Sequence, residues 1–154
     1  MNAAEQSYSD IKQLASSEDK LILQGRFPGI NPADMFRHWV EPELLTLWWP
    51  QVAEIEPSAG GAYHLAWPDM DWHLRGVYLA FDPGRKLAFT WKWEHEEHRP
   101  SRSVVVTFRE LPSGGTLMTL GHGTYGSAPE DTDERNGHLE GWIYFLGRLE
   151  QLTG

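Results

Sequence analysis

The chain has 154 residues, no cysteine, and 22 Asp plus Glu against 13 Lys plus Arg, for a formal charge of −9. That length suits one domain with a real core, the lack of thiols excludes disulfides and thiolate metal sites, and the acidic balance repels a phosphate backbone, which argues against nucleic-acid binding. A 40% hydrophobic content is enough to offset the entropy of folding. No run approaches the roughly 20 apolar residues of a membrane span and none near the start looks like a signal peptide, so a cytoplasmic protein with no membrane span is expected.

Residues 1–19 are polar, with Tyr8, Ile11, Leu14 and Ala15 at helical spacing, and read as an N-terminal extension that is a short helix or flexible. Apolar and polar residues alternate from Lys20 to Phe27, which predicts a strand that Pro28-Gly29 stops. Asn31-Pro32-Ala33-Asp34 supplies a cap, a proline for the first helical position and an acid for the first turn. The helix it opens carries Met35, Phe36 and Trp39 inward. Pro42 opens a second short helix with Leu44, Leu45 and Leu47 on its apolar side, and Pro50 ends it.

From Val52 to Tyr125 turn signals such as Asp82-Pro83-Gly84 and Pro112-Ser113-Gly114-Gly115 separate six runs, about 51–56, 61–67, 71–81, 86–95, 102–110 and 115–124. Consecutive strands without intervening helices predict an antiparallel meander. Ser127-Ala128-Pro129-Glu130 reads as a capping box for a closing helix whose stripe is Leu139, Trp142, Phe145, Leu146, Leu149 and Leu152. The expected fold is therefore α+β, a helix grip: a curved antiparallel sheet of about seven strands around a long C-terminal helix, with two short helices after the first strand. Residues 20–154 form its single domain.

Eight tryptophans, each able to bury about 150–250 Å², exceed what a small two-layer core obviously requires; the surplus must be packed, exposed at an interface or facing a cavity, and suggests a pocket as well as a core. Leu87, Phe89, Trp91 and Trp93 share one face of their strand, as do Val104, Val106 and Phe108, and Thr116, Met118, Leu120 and His122. Tyr63 and Trp67 share another face. Run 71–81 is ambiguous, with Trp72, Leu74 and Tyr78 on one side and Val77, Leu79 and Phe81 on the other; Arg75 falls on the Val77 side, read as outward. The candidate ligand-binding set is Trp49, Tyr63, Trp67, Tyr78, Phe89, Trp91, Trp93, Met118, Leu120, His122 and Trp142. Trp48 and Trp49 are expected at a cavity mouth, Trp39 and Trp142 between helix and sheet.

His122 has two readings, a core histidine bonded to a neighbour or a ligand-contacting general base. The cluster Glu94-His95-Glu96-Glu97-His98 holds imidazoles and carboxylates but sits at a hairpin end, where alternating charge is a solvated loop tip, so no metal is assigned. No phosphate loop, nucleophile elbow or zincin motif occurs, and no cofactor is implied.

The order of these marks resembles the family named after the activator of the heat-shock-protein-90 ATPase, within the START-like (SRPBCC, birch-pollen-allergen-like) superfamily. The resemblance runs from about Leu21 to Leu152. It rests on Asn31 to Asp34 with Phe36 and Trp39, Trp48-Trp49-Pro50, Gly60-Gly61 with Tyr63, Gly76-Val77 before Asp82-Pro83-Gly84-Arg85, Leu87 with Thr90 and Trp91, Gly115-Thr116 with Met118, Leu120 and His122, and Gly141-Trp142 with Leu146 and Leu149. It implies a sheet and helix enclosing a hydrophobic cavity. Relatives in the superfamily bind lipids, hormones or polyketides, and some catalyse ring cyclisation or dehydration. The first expectation is thus binding of a small hydrophobic or aromatic ligand, the second a cyclase or dehydratase with His122 as base, the third a co-chaperone-like interaction module. Chaperone activation itself is not carried over, because that activator pairs this kind of domain with a second one. Exposed aromatics such as Trp72 suit a homodimer.

Overall fold

Alternating side chains along seven segments, and an eighth short strand, build the sheet in the computed structural model, which describes residues 9–154. The strands are β1 (Lys12–Leu14), β2 (Lys20–Phe27), β3 (Val52–Ile55), β4 (Ala62–Trp67), β5 (Trp72–Asp82), β6 (Lys86–Trp93), β7 (Arg102–Glu110) and β8 (Thr116–Gly123). They pair in the order β1-β2-β8-β7-β6-β5-β4-β3, every pair antiparallel. β3 to β8 form the expected meander, and β2 returns beside β8, so the helices between β2 and β3 span the sheet's width.

The short helix expected in the extension is absent from residues 9–19. Lys12–Leu14 instead adds an edge strand, with Lys12 opposite Gln24 and Leu14 opposite Ile22. Three apolar residues at helical spacing cannot offset the cost of nucleating an isolated helix, whereas the open edge of β2 offers unpaired backbone groups. Tyr8 lies outside the described residues.

Three α-helices occur among the described residues, α1 (Pro32–Val40), α2 (Pro42–Leu45) and α3 (Pro129–Thr153), besides a 3-10 turn at Pro68–Met70. Asn31 caps α1 as expected, its side-chain oxygen accepting from the Asp34 amide at 2.8 Å, while Met35, Phe36 and Trp39 are buried. Asn31→Ala should cost about 1 kcal/mol, measurable as a lower urea midpoint with an unchanged slope. α2 stops sooner than expected. It ends at Leu45, and the chain continues through turns to Trp49, so helical periodicity is lost and Leu47 points outward at 52% exposure. The capping box also fails: α3 starts one residue later, with Ala128 at the cap and no side-chain cap bond, which leaves Ser127 outside the cap position. Pro129 at the first helical position and Glu130 and Asp131 in the first turn favour the start instead. Of the α3 stripe, Trp142, Leu146 and Leu149 are buried against the sheet, whereas Leu152 in the last turn is exposed.

The concave face carries the core. Leu87, Phe89, Trp91, Val104, Val106, Phe108, Met118, Leu120 and His122 are all buried there, as the alternation predicts. β5 resolves its ambiguity with a bulge. Its register against β6 slips between Tyr78 and Ala80, and an extra residue reverses the alternation that follows. Leu74 and Tyr78 thus face in, Val77 and Leu79 face out, and Phe81, expected on the outward side, turns in to meet Phe36 at 5.2 Å. Arg75 is outside and pairs with Glu94 at 2.5 Å.

Candidate functional site

Where the first half of α3 crosses the ends of β4 to β6, five residues of one helical face, Gly137, His138, Gly141, Trp142 and Phe145, look toward the sheet. Their spacing of one, three and four keeps them on a single stripe. Opposite them stand Trp67 from β4, Trp72 from β5, and Trp91 and Trp93 from β6, with Trp49 and Met70 closing the sides. The partly open cavity between them measures about 180 Å³. Two of the helix residues have no side chain, and a Cβ built at Gly137 or Gly141 meets no atom within 4 Å. The helix is therefore held away from the sheet by tryptophans and left open by glycines.

The rings form walls set at large angles to one another. Trp91 and Trp93 stand 5.6 Å apart at 90°, Trp72 and Trp93 5.8 Å apart at 65°, and Trp67 lies 5.4 Å from Trp93. Trp49 stacks on Trp91 at 5.9 Å and tilts against Trp142 at 5.0 Å. The indole N–H of Trp91 has no acceptor among the described residues. His95 extends the outer wall, stacked on Trp72 at 5.6 Å.

Behind the cavity lies a polar layer. His138 stacks on His122 with centroids 4.3 Å apart, and its Nδ1 lies 2.8 Å from the Tyr125 hydroxyl. His122 is fully enclosed: the Trp142 indole N–H donates to its Nδ1 at 3.0 Å, so the neutral ring carries its proton on Nε2, which finds no partner. Burial pushes the His122 imidazole well below its ordinary value, and neighbouring His138 and Arg102 add to the effect. Burial likewise lowers His138 to about 4, against the opposing pull of the Glu134 carboxylate. Both rings are neutral at pH 7.

An ion-pair network closes this layer. The Arg102 guanidinium, nearly buried, donates to Asp131 at 2.9 Å and to Glu134 at 3.0 Å, and Arg99 reaches the same two carboxylates at 2.5 Å each. Arg102 also bonds the Thr124 carbonyl and lies over the Tyr125 ring at 5.0 Å. Hydrogen bonding to Arg99 holds Asp131 below the usual carboxylate range. Burial works to raise Glu134, but its bonds to Arg102 and Arg99 prevail and lower it.

The expected site residues divide into three groups. Trp49, Trp67, Trp91, Trp93 and Trp142 meet at the cavity. Tyr63, Tyr78 and Phe89 border a second gap deeper in the grip that has closed to about 10 Å³, where the Tyr63 hydroxyl donates to the Thr90 carbonyl at 2.5 Å. Met118, Leu120 and His122 line neither and are core. Trp48, expected at the mouth, is wholly buried and donates its indole N–H to the His38 carbonyl at 2.9 Å. His138 was not among the expected residues. The signal for it was its place four residues before Trp142 and beside a glycine, on the stripe that passes through Gly141. No group of three or more His, Asp or Glu side chains among the described residues is arranged to hold a metal, and no helix among them is long and apolar enough to cross a membrane.

A sequence profile described as Activator of Hsp90 ATPase homolog 1-like protein matches residues 30–154. No curated protein matches the chain. Among solved structures, protein MLL2253 of Mesorhizobium loti is similar at 23% identity over 86% of this chain and 95% of its own, with a TM-score of 0.75. PFC0360w, an HSP90 activator of Plasmodium falciparum, is similar at 19% identity over 86% and 94%, with a TM-score of 0.69. DynU16, from the dynemicin biosynthetic locus, is similar at 16% identity over 86% of this chain and 46% of its own, with a TM-score of 0.72. At these identities the structural likeness is one of fold.

Proposed function

We propose, from the premise that this chain belongs to the family of Activator of Hsp90 ATPase homolog 1-like proteins, that its tryptophan-lined cavity binds one small apolar or aromatic molecule. The observation that carries this reading is an open apolar space of about 180 Å³ in a fold whose deeper interior is otherwise filled. Glycine within a helix costs about 1 kcal/mol relative to alanine. Gly137 and Gly141 have room for a methyl group, so packing does not require them, and their place on the cavity wall supports a role in keeping ligand space. The volume falls below the roughly 300–1,000 Å³ of sites for drug-sized ligands, which favours a body near one substituted ring over a long acyl chain or a multi-ring polyketide. DynU16's biosynthetic locus is compatible with small-molecule binding and contributes no ligand identity.

Catalysis by His122 fits less well. It lies one layer behind the cavity, its Nδ1 is occupied by Trp142, and its proton affinity is depressed. His138 does reach the cavity, but at a pKa of about 4 it is a weak base at neutral pH, away from the range general bases use.

Thermal unfolding in the presence of benzyl alcohol tests the reading. A saturable rise in the midpoint is expected, equivalent to about 2.7 kcal/mol at a hundredfold excess over Kd. Gly141→Leu should fill the space and remove the rise. Gly141→Ala should raise the unligandeded midpoint, by up to about 1 kcal/mol of stability, while weakening binding. Gly147→Ala, on the same helix but away from the cavity, should give the first effect alone. A midpoint indifferent both to benzyl alcohol and to benzyltrimethylammonium, each up to its solubility, rejects the proposal.

A further inference from the structure

The mouth of the cavity has a charge that its walls do not. Trp72, Trp93, Gly137 and His138 continue outward into a vestibule of about 460 Å³ whose rim carries Glu96, Glu130, Asp133 and Glu134 with Arg99 and His95. Arg99 does not neutralise that rim. Its guanidinium and that of Arg102 are both committed to Asp131 and Glu134, two cations against two anions, a closed set. The side chains of Glu96, Glu130 and Asp133 have no ion-pair partner among the described residues. Glu130 and Asp133 lie on the α3 face that continues inward through Gly137 and Gly141. The positive end of that helix offsets about half a charge, and the Lys92 ammonium, bonded to the Glu96, Glu97 and Arg99 carbonyls, offsets one more, which leaves the rim net negative.

Inside the rim the lining is mostly indole, from Trp49, Trp67, Trp72, Trp91, Trp93 and Trp142. The roughly perpendicular Trp91 and Trp93, with Trp72 and Trp67 beside them, surround one volume with several indoles. An indole face attracts a cation through its quadrupole, more strongly where water is excluded. No Lys or Arg side chain lines the cavity, and the chain's net charge of −9 adds a long-range field of the same sign as the rim.

We infer that the ligand of this cavity is an organic cation, an ammonium or quaternary ammonium group joined to a compact apolar or aromatic body, drawn in by the Glu96, Glu130 and Asp133 rim and held against the tryptophan faces. This rests on the cavity being a ligand site and adds its chemical class. Anionic ligands of similar shape, carboxylates included, are excluded by the same field.

Three probes sharing a benzyl body separate the ideas: benzyltrimethylammonium, benzyl alcohol and phenylacetate, titrated by calorimetry and by quenching of tryptophan fluorescence. The cation should bind at least about tenfold tighter than the alcohol at low salt, and phenylacetate should not bind measurably. In the triple variant E96Q/E130Q/D133N, with its fold checked by unfolding midpoint, the ratio of cation to alcohol affinity should fall severalfold. Raising the ionic strength of the wild-type protein from about 0.01 M to about 0.5 M should lower the same ratio without any substitution. If benzyl alcohol binds as tightly as the cation, or the ratio is unchanged in both the variant and high salt, the inference about charge fails and the apolar-site reading stands. If none of the three probes binds, that reading fails and the inference with it.

Discussion

Arg102→Met is expected to destabilise the protein by about 3 kcal/mol, the low end of the range for breaking a buried charge pair, because Arg99 still reaches both carboxylates. The side chain is 5% exposed, and Asp131 and Glu134 are at 15% and 10%, so water cannot replace the guanidinium. The substitution also strands the Thr124 carbonyl and removes the cation from the Tyr125 ring. Arg99→Met should cost less, because Arg99 is 23% exposed and Arg102 would still hold both carboxylates. Urea unfolding of the two variants measures the difference; equal and small losses would show that the network is a surface feature in solution.

Acid should weaken the fold before the carboxylates titrate. An unfolded histidine binds its proton near pH 6.5. In the folded chain His138 does so only near 4, and His122 well below the ordinary value. The unfolded state therefore takes up protons first as pH falls. The stability these rings contribute is full above about pH 6.5 and declines below it, by about 1.4 kcal/mol per pH unit for each ring. For His138 the decline ends near pH 4, a total of about 3 kcal/mol. Asp131 and Glu134, whose folded pKa values are lowered, add a separate loss as pH drops through those lowered values. Unfolding free energies at about pH 7.5 and about pH 5 should differ by several kcal/mol, and His138→Gln should roughly halve the slope. A flat profile across that interval would mean the two rings are hydrated in solution.

Much of the molecule was legible in its sequence. Local pattern determined the seven longer strands, the meander, the Asn31 cap and the inward faces of β6, β7 and β8, because burial of one face of a pleated strand is set by period-two alternation alone. The family resemblance was legible too, since the order of turn and aromatic marks survives where no single motif is specific. Several local signals misled because a partner outside the segment, or the lack of one, decided the outcome. Residues 12–14 joined an edge provided by β2, Phe81 turned in because β5 slips against β6, and Leu152 had no sheet left to cover.

The site was half legible. Alternation showed that Trp67, Trp91 and Trp93 face inward, but a strand pattern cannot say whether an inward ring meets another ring or a space. That was decided by packing between layers: Trp39 of α1, Leu45 of α2 and Trp49 cover Tyr63, Tyr78 and Phe89 and leave a deep gap of only about 10 Å³, whereas the crossing of α3 stands off from the tryptophans where Gly137 and Gly141 pass. The same crossing put His122 behind His138, and put the unpaired acids of α3 at the mouth. Sequence by itself determined the faces and the supply of indoles; the tertiary structure alone decided where they enclose a volume, because a cavity is a property of the distance between two layers and local periodicity carries no measure of that distance.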